Sequence, residues 1–213
     1  DRQRNGVTRL RLAAIPTIAP YLLPRVIQVM RDAQPAVQLL ISEQRTAEIV
    51  AALSSGQLDL AILATDEDSD VIASVAIGED PFLVAVPTSD SIASLRTVEA
   101  TALLEREVLL LQDGHCLRGQ AQAVCAAAGQ PSTHDVSASS LSTVCQMVAA
   151  GQGVTLLPRL AVEVECREGS GITAVPLTAG DYGRTLRIAW RRTSAQAAKI
   201  SVLATELAEA LGK

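Results

Sequence analysis

Hydrophobic positions in the first third of the chain recur with two different periods. The segments 8–14 (TRLRLAA) and 36–43 (AVQLLISE) alternate as strands do, and 58–64 (LDLAILA) is almost entirely apolar. Between them, 21–33 and 45–57 carry apolar residues at the spacing of one helix face. This β-α-β-α-β order is typical of a parallel sheet covered by helices.

A second series of elements fills the rest of the chain. The pattern predicts strands within 80–87, 106–113, 133–138, 151–158 and 184–190, and helices over 97–105, 116–128, 140–150 and 195–211. Crossing segments near Asp80 and Asp181 separate the two series. We therefore predict an α/β fold of two Rossmann-like lobes with a cleft between them, lobe I comprising 1–80 and 182–213 and lobe II comprising 81–181.

Composition narrows the classes of function. The 213 residues carry a net charge of −5 and only 2% aromatic residues, which is a poor basis for binding DNA or RNA directly. No apolar run reaches the roughly 20 residues that cross a bilayer, and residues 1–10 lack the apolar centre of a signal peptide. Four cysteines are too sparse for a disulfide scaffold, so we expect a cytoplasmic protein.

Three hydroxyl side chains fall at turns from a strand into a helix. They are Thr17, Thr46 and Ser139. Each alone is explained by helix capping. Because ligands of α/β sheets sit beyond the carboxyl ends of the strands, the three together favour a polar binding cleft.

Cys116 and Cys125 bracket the segment DGHCLRGQAQAVC, and several roles are open to them. No metal site is predicted, because His115 and His134 are the only histidines and no CxxC or HxxxH spacing occurs. A cysteine hydrolase would need one of those histidines against a thiol, and nothing else supports acyl transfer. Three roles remain open for Cys116 and Cys125: packing in the core, a structural disulfide, and a redox-active pair. Cys145 is interpreted as a buried apolar residue.

Helix geometry bears on the thiol pair. The turn signal Asp113-Gly114 places Cys116 where a helix begins, and a helix N-terminus with Arg118 nearby favours the thiolate that peroxide attacks. If Cys125 lies on the same helix, nine residues separate the cysteines by about 13 Å, whereas a disulfide allows a Cα separation of about 7 Å. A bond between them then requires unwinding, which suits a switch better than a staple. Gly119 weakens the intervening helix.

Four segments resemble the OxyR branch of the LysR-type transcriptional regulators, which sense hydrogen peroxide. They are IPTIAPYLLP, QDGHCLRGQA with Cys125 behind it, VAAGQGVTLLP and RTLRIAWRR. The resemblance covers essentially the whole chain as a regulatory domain. It implies a periplasmic-binding-protein-like (type 2) effector fold and an amino-terminal winged helix-turn-helix, which we expect to be absent from this sequence.

The resemblance also implies roles for individual residues. Cys116 would be the peroxidatic thiol and Cys125 the resolving thiol. The peroxide pocket would be lined by Thr17, Thr46, His115, Gln120 and Arg184. Gly119 departs from the more familiar pattern, which has an acidic residue there.

The resemblance implies partners as well: hydrogen peroxide, a second or further copies of the chain in a homodimer or homotetramer, DNA through the absent domain, and a glutaredoxin- or thioredoxin-type reductant. No cofactor, no membrane and no enzymatic turnover are expected. The alternatives are a small-metabolite effector domain of another LysR-type regulator, a solute-binding protein, and a thiol peroxidase.

Overall fold

A computed structural model describes residues 8–104, 106–129, 137–178 and 182–211. The elements are, in chain order, β1 (Thr8–Ala14), α1 (Ala19–Ala33), β2 (Val37–Glu43), α2 (Thr46–Ser54), β3 (Leu60–Leu63), β4 (Ile72–Pro87), β5 (Leu110–Leu111), α3 (Cys116–Ala127), β6 (Ser137–Ala138), α4 (Leu141–Ala149), β7 (Thr155–Pro158), α5 (Arg159–Glu165), β8 (Ile172–Pro176), β9 (Gly183–Arg191) and α6 (Ala197–Leu211). They form two compact units. Unit 2 runs from Asp80 to Arg184, and unit 1 consists of the described residues before Asp80 and after Arg184.

Unit 1 is built on a sheet in the order β2-β1-β3-β9. The pairs β1–β2 and β1–β3 are parallel, and β9 adds to β3 in the antiparallel direction. All four residues of β3 are buried, because the strand is central in the sheet and apolar on both sides. The α/β class and the predicted β-α-β-α-β order are confirmed here.

Unit 2 is built around the second half of β4, which pairs antiparallel with β7 on one side and β8 on the other. A separate parallel pair joins β5 to β6. Contacts between α3 and β5, between α4 and β5, β6, β7 and β8, and between α5 and β7 tie the helices of this unit to its strands. Residues Val84, Ala85 and Val86 in the middle of β4 are completely buried.

Several predicted boundaries are wrong. β4 begins at Ile72 rather than at residue 80, because its first half is a neighbour of β9 in the sheet. A side-chain hydrogen bond also links these two strands, since Thr185 Oγ1 donates to Glu79 Oε2 at 3.1 Å. The helix predicted over 97–105 is only a turn of 3-10 helix over Ala100–Leu103, and the strand predicted over 106–113 is reduced to β5. Of the strand predicted over 133–138, residues 133–136 lie outside the described residues.

Candidate redox site

A tight turn delivers Cys116 to the start of α3. After β5 the chain turns at Gly114, whose φ of +90° is a left-handed conformation that side chains with a Cβ rarely adopt. His115 is the N-cap residue with extended backbone angles, and Cys116 is the first residue of the helix. The predicted helix start is confirmed. The four amide groups of the first turn point toward this end of the helix and favour an anion there.

Arg118 holds the turn in place. Its Nη1 donates to the carbonyl oxygen of Leu111 at 2.8 Å, and its Nε contacts Asp113 Oδ1 at 2.9 Å. The Asp113 side chain is 95% exposed, so this ion pair adds little stability, and the bond to the buried strand carbonyl matters more. Arg118 therefore ties the start of α3 to the end of β5 and fixes the geometry of the turn.

Cys116 and Cys125 lie on one unbroken helix, and neither sulfur is in a disulfide. The nine-residue separation corresponds to about 13 Å along the axis, well beyond the roughly 7 Å a disulfide spans. Cys116 is half-buried, whereas Cys125 has no exposed surface, and burial raises the pKa of the Cys125 thiol. The two sulfurs thus differ in access to solvent and cannot bond while α3 is intact.

His115 and Gln120 flank Cys116 within unit 2. His115 precedes it and is 8% exposed, and Gln120 follows by four residues, which places it on the same face of α3. Both are polar side chains near the start of the helix, one just before Cys116 and one a turn after it. His115 and Cys116 to Gln120 are the N-cap and the first five residues of α3, and the peroxide-binding role that the resemblance implies for His115 and Gln120 stays a prediction.

Threonines occupy equivalent positions at the carboxyl edge of the sheet in unit 1. Ala14, Glu43 and Ile62 form one row across β1, β2 and β3. Thr17, Thr46 and Thr65 each follow a member of that row by three residues. Thr17 is 2% exposed, and in the described part of the chain the buried Oγ1 atoms of Thr46 and Thr65 have no hydrogen-bond partner.

Capping does not explain this threonine row. Thr46 is the first residue of α2, whose N-cap is Arg45, and Thr17 precedes the N-cap Ile18 of α1. In α4 the residue that caps is Ser140, which accepts from the Thr143 amide, and not Ser139. Thr65 was not predicted, because its equivalence to Thr17 and Thr46 rests on the register of β3 with β1 and not on its distance from the end of β3.

Arg184 is buried in an ion pair that the sequence did not indicate. Its side chain has no exposed surface, and its Nε donates to Asp80 Oδ2 at 2.9 Å. The other oxygen of Asp80 accepts the amide of Leu160 at the start of α5, at 2.8 Å. Asp80 and Arg184 are the first and last residues of unit 2, so this pair joins the two points where the chain enters and leaves it.

The predicted site residues thus belong to different units of the fold. Thr17 and Thr46 belong to unit 1, whereas His115, Cys116, Gln120, Cys125 and Arg184 belong to unit 2. Among the described residues no three His, Cys, Asp or Glu side chains converge as a metal site, and His134 lies outside those residues. The described helices include none that is both long and apolar enough to cross a membrane.

Two α/β units with a thiol at the N-terminus of α3 are the arrangement of an α/β ligand- or effector-binding domain. The chain belongs to the LysR substrate binding domain family, whose model matches residues 3–212. The type 2 periplasmic-binding-protein-like fold implied by the resemblance is confirmed by this match and by its structural neighbours.

Three known proteins illustrate the similarity. The DNA-binding transcriptional dual regulator OxyR of Escherichia coli is 37% identical over 182 residues, which are 85% of this chain and 59% of that protein. The reduced OxyR regulatory domain from Pseudomonas aeruginosa is 31% identical with a TM-score of 0.85, covering 97% of this chain and all of that one. A cysteine-to-serine mutant of Corynebacterium glutamicum OxyR with hydrogen peroxide bound is 28% identical with a TM-score of 0.89, covering 97% and 66%. The chain therefore spans only part of the full-length regulators.

Proposed function

We propose that this chain is the regulatory domain of a peroxide-sensing transcription factor. The Cys116 thiolate attacks one oxygen of hydrogen peroxide, the O–O bond breaks, and a protonated hydroxide leaves as water. Cys116 is then a sulfenic acid. The Cys125 sulfur displaces its hydroxyl group, forming an S–S bond and releasing a second water.

The observation that carries this proposal is the position of both thiols on one intact helix. A reduced pair about 13 Å apart can be bridged only if α3 unwinds between them. Oxidation is thereby coupled to a change of backbone rather than to a local change of side chains. The coupling is what a sensor needs, because a disulfide that left the fold unchanged would transmit no signal.

Peroxide binding is proposed for Thr17, Thr46, His115, Gln120 and Arg184. Threonine hydroxyls both donate and accept hydrogen bonds, which matches the two O–H groups of the oxidant. The imidazole of His115 and the fixed charge of Arg184 would stabilise the negative charge that develops on the leaving oxygen. The hydrogen-peroxide-bound relative of similar fold supports peroxide as the ligand.

We further propose how the signal leaves the domain. In this proposal lobe I comprises 1–80 and 182–213 and lobe II comprises 81–181; these bounds differ from the compact units at Asp80 and Arg184, which both belong to unit 2. Refolding of 116–125 alters packing in a homodimer or homotetramer and so repositions amino-terminal winged helix-turn-helix domains on DNA. A glutaredoxin- or thioredoxin-type reductant in the cytoplasm resets the disulfide.

Peptide mapping tests the chemistry directly. After one equivalent of peroxide and alkylation, trypsin should yield peptide 107–118 linked to 119–159, since these carry Cys116 and Cys125. Peptide 119–159 also contains Cys145, so Cys145→Ser is the matched control and should keep the link, whereas Cys125→Ser should lose it. Sulfenylation at Cys145 with Cys116 unreacted would refute the proposal. Amide exchange across 116–125 should rise on oxidation.

A small-metabolite effector domain is the second candidate. The buried Oγ1 atoms of Thr46 and Thr65, which lack partners in the described residues, favour it because a bound ligand would supply those bonds. If this is the function, Cys116→Ser will retain a ligand-induced rise in melting temperature and will not respond to peroxide. Sustained peroxide turnover with a thiol reductant would instead indicate a thiol peroxidase.

A further inference from the structure

A second pair of cysteines lies where α4 meets the end of α5. Cys145 is completely buried in α4, and Cys166 follows Glu165 at the C-terminus of α5. Ser142, one turn before Cys145, donates from Oγ to Glu165 Oε1 at 2.6 Å. Residues 142 and 145 share a face of α4. That face therefore meets the end of α5 at the buried carboxylate of Glu165.

Contacts around both thiols place them at this same junction. Cys145 is hydrogen-bonded to Glu165, and the Cys166 thiol lies close enough to affect the ionisation of Cys145. On the far side, the amide of Ala174 in β8 donates to the sulfur of Cys166 and holds it against the strand. Both thiols therefore lie at the α4–α5 junction, beside Glu165. Cys145 lies within α4 and Cys166 is the C-cap residue of α5, so the two thiols are not held apart along the axis of one helix.

We propose that Cys145 and Cys166 form a second redox pair, which peroxide closes into a disulfide without unwinding either helix. The Cys166 thiolate attacks peroxide, the O–O bond breaks, and water leaves a sulfenic acid on Cys166. Cys145 then displaces the hydroxyl group as a second water, after passing its proton to solvent or to Glu165. Two thiols are oxidised and one peroxide is reduced to two waters.

The environment of the pair makes this reaction slow. Burial and the Glu165 carboxylate raise the pKa of Cys166 from the ordinary 9.0 to about 11. Burial, Glu165 and Cys166 also raise the pKa of Cys145. At neutral pH the reactive thiolate of Cys166 is then about a hundredfold scarcer than that of an ordinary thiol. The second disulfide should form only after prolonged exposure or in excess peroxide, once the 116–125 pair has reacted.

A double variant isolates the second pair. In Cys116→Ser/Cys125→Ser the only remaining thiols are Cys145 and Cys166. Excess peroxide, quenching by denaturing alkylation and tryptic digestion should yield peptide 119–159 linked to 160–167 within one chain, with a loss of two hydrogens. In the unsubstituted protein, the link from 107–118 to 119–159 should appear first and 160–167 should join it at higher peroxide.

Adding Cys145→Ser to the double variant is the matched control and should abolish the intramolecular link. The proposal is overturned if the folded double variant, after saturating peroxide and then the dithiol oxidant diamide, still has both thiols alkylated separately. Sulfinic acid on Cys166 without the link, or a link between two chains, would equally overturn it. Circular dichroism before oxidation verifies folding. If the variant is unstable, the presence or absence of the 160–167 link in the unsubstituted protein decides the matter instead. Cys116 and Cys125 are absent from the double variant, so a failure of the function proposed for them would not change the result of this test.

Discussion

Replacing Gly119 by alanine tests whether oxidation unwinds α3. Gly119 is an exposed helix residue between the two cysteines, and a Cβ added there meets no atom within 4 Å. The substitution therefore stabilises the helix by about 1 kcal/mol without creating a clash. If the bridged form lacks this helix, the stabilisation applies to the reduced form alone.

The expected effect on the redox equilibrium follows from that difference. About 1 kcal/mol corresponds to a roughly fivefold lower ratio of bridged to reduced protein at fixed redox buffer, or a midpoint potential about 20 mV more positive. A titration of the Cys116–Cys125 disulfide against thiol–disulfide buffers measures this shift. The reduced variant should also melt at a higher temperature.

Ser201→Ala is the matched control for this experiment. Ser201 is exposed on α6 in unit 1, and alanine there raises helix propensity in a segment that the proposed switch leaves intact. It should raise the melting temperature and leave the midpoint potential unchanged. An unchanged potential in Gly119→Ala, despite a stabilised reduced form, would mean that α3 survives bridging and would refute the reasoning.

Three further predictions concern groups outside α3. Asp80→Ala leaves the Arg184 guanidinium buried without its carboxylate and should lower the free energy of unfolding by about 3–5 kcal/mol in urea titrations; a loss below about 1 kcal/mol would show that water replaces the carboxylate. Thr65→Val removes a buried hydroxyl that has no partner in the described residues and should raise stability by about 1 kcal/mol, whereas a decrease would reveal a bound water or ligand. The hydrogen bond from Arg106 holds the pKa of Asp90 below its ordinary 3.8, so this carboxylate stabilises the fold above that pH and loses its effect as the pH falls through the folded value. The stability gap between Asp90→Asn and the unsubstituted protein should therefore be full at pH 6 and close in acid denaturation series toward pH 2; a gap independent of pH would contradict this.

Elements with a strong local signal were predicted well from the sequence. The strand at Thr8–Ala14 was predicted to the residue, and the start of α3 at Cys116 followed from the Asp113-Gly114 turn. Elements whose bounds depend on pairing with a strand remote in the sequence were not predicted well. β4 extends back to Ile72 because it runs beside β9, more than a hundred residues later, and no periodicity within 72–79 signals that.

The candidate site also contains residues placed by local structure and residues placed only by the tertiary fold. His115, Cys116 and Gln120 lie close together in the chain at the start of α3, and this placement followed from the predicted start of the helix. Asp80 could not be inferred as the partner of Arg184, because 104 residues separate them. The junction of Cys145, Glu165 and Cys166 likewise exists only because α4 packs against α5 and β8.

The sequence by itself determined the alternation of strands and helices and the position of Cys116 and Cys125 within one helical segment. Both depend on backbone geometry over a few residues, which side-chain pattern and turn chemistry dictate. Only the tertiary structure decided which charges are paired, which hydroxyls are buried and which thiols lie at the same junction. Those properties arise from desolvation and contact between segments remote in the chain, and no local period encodes them.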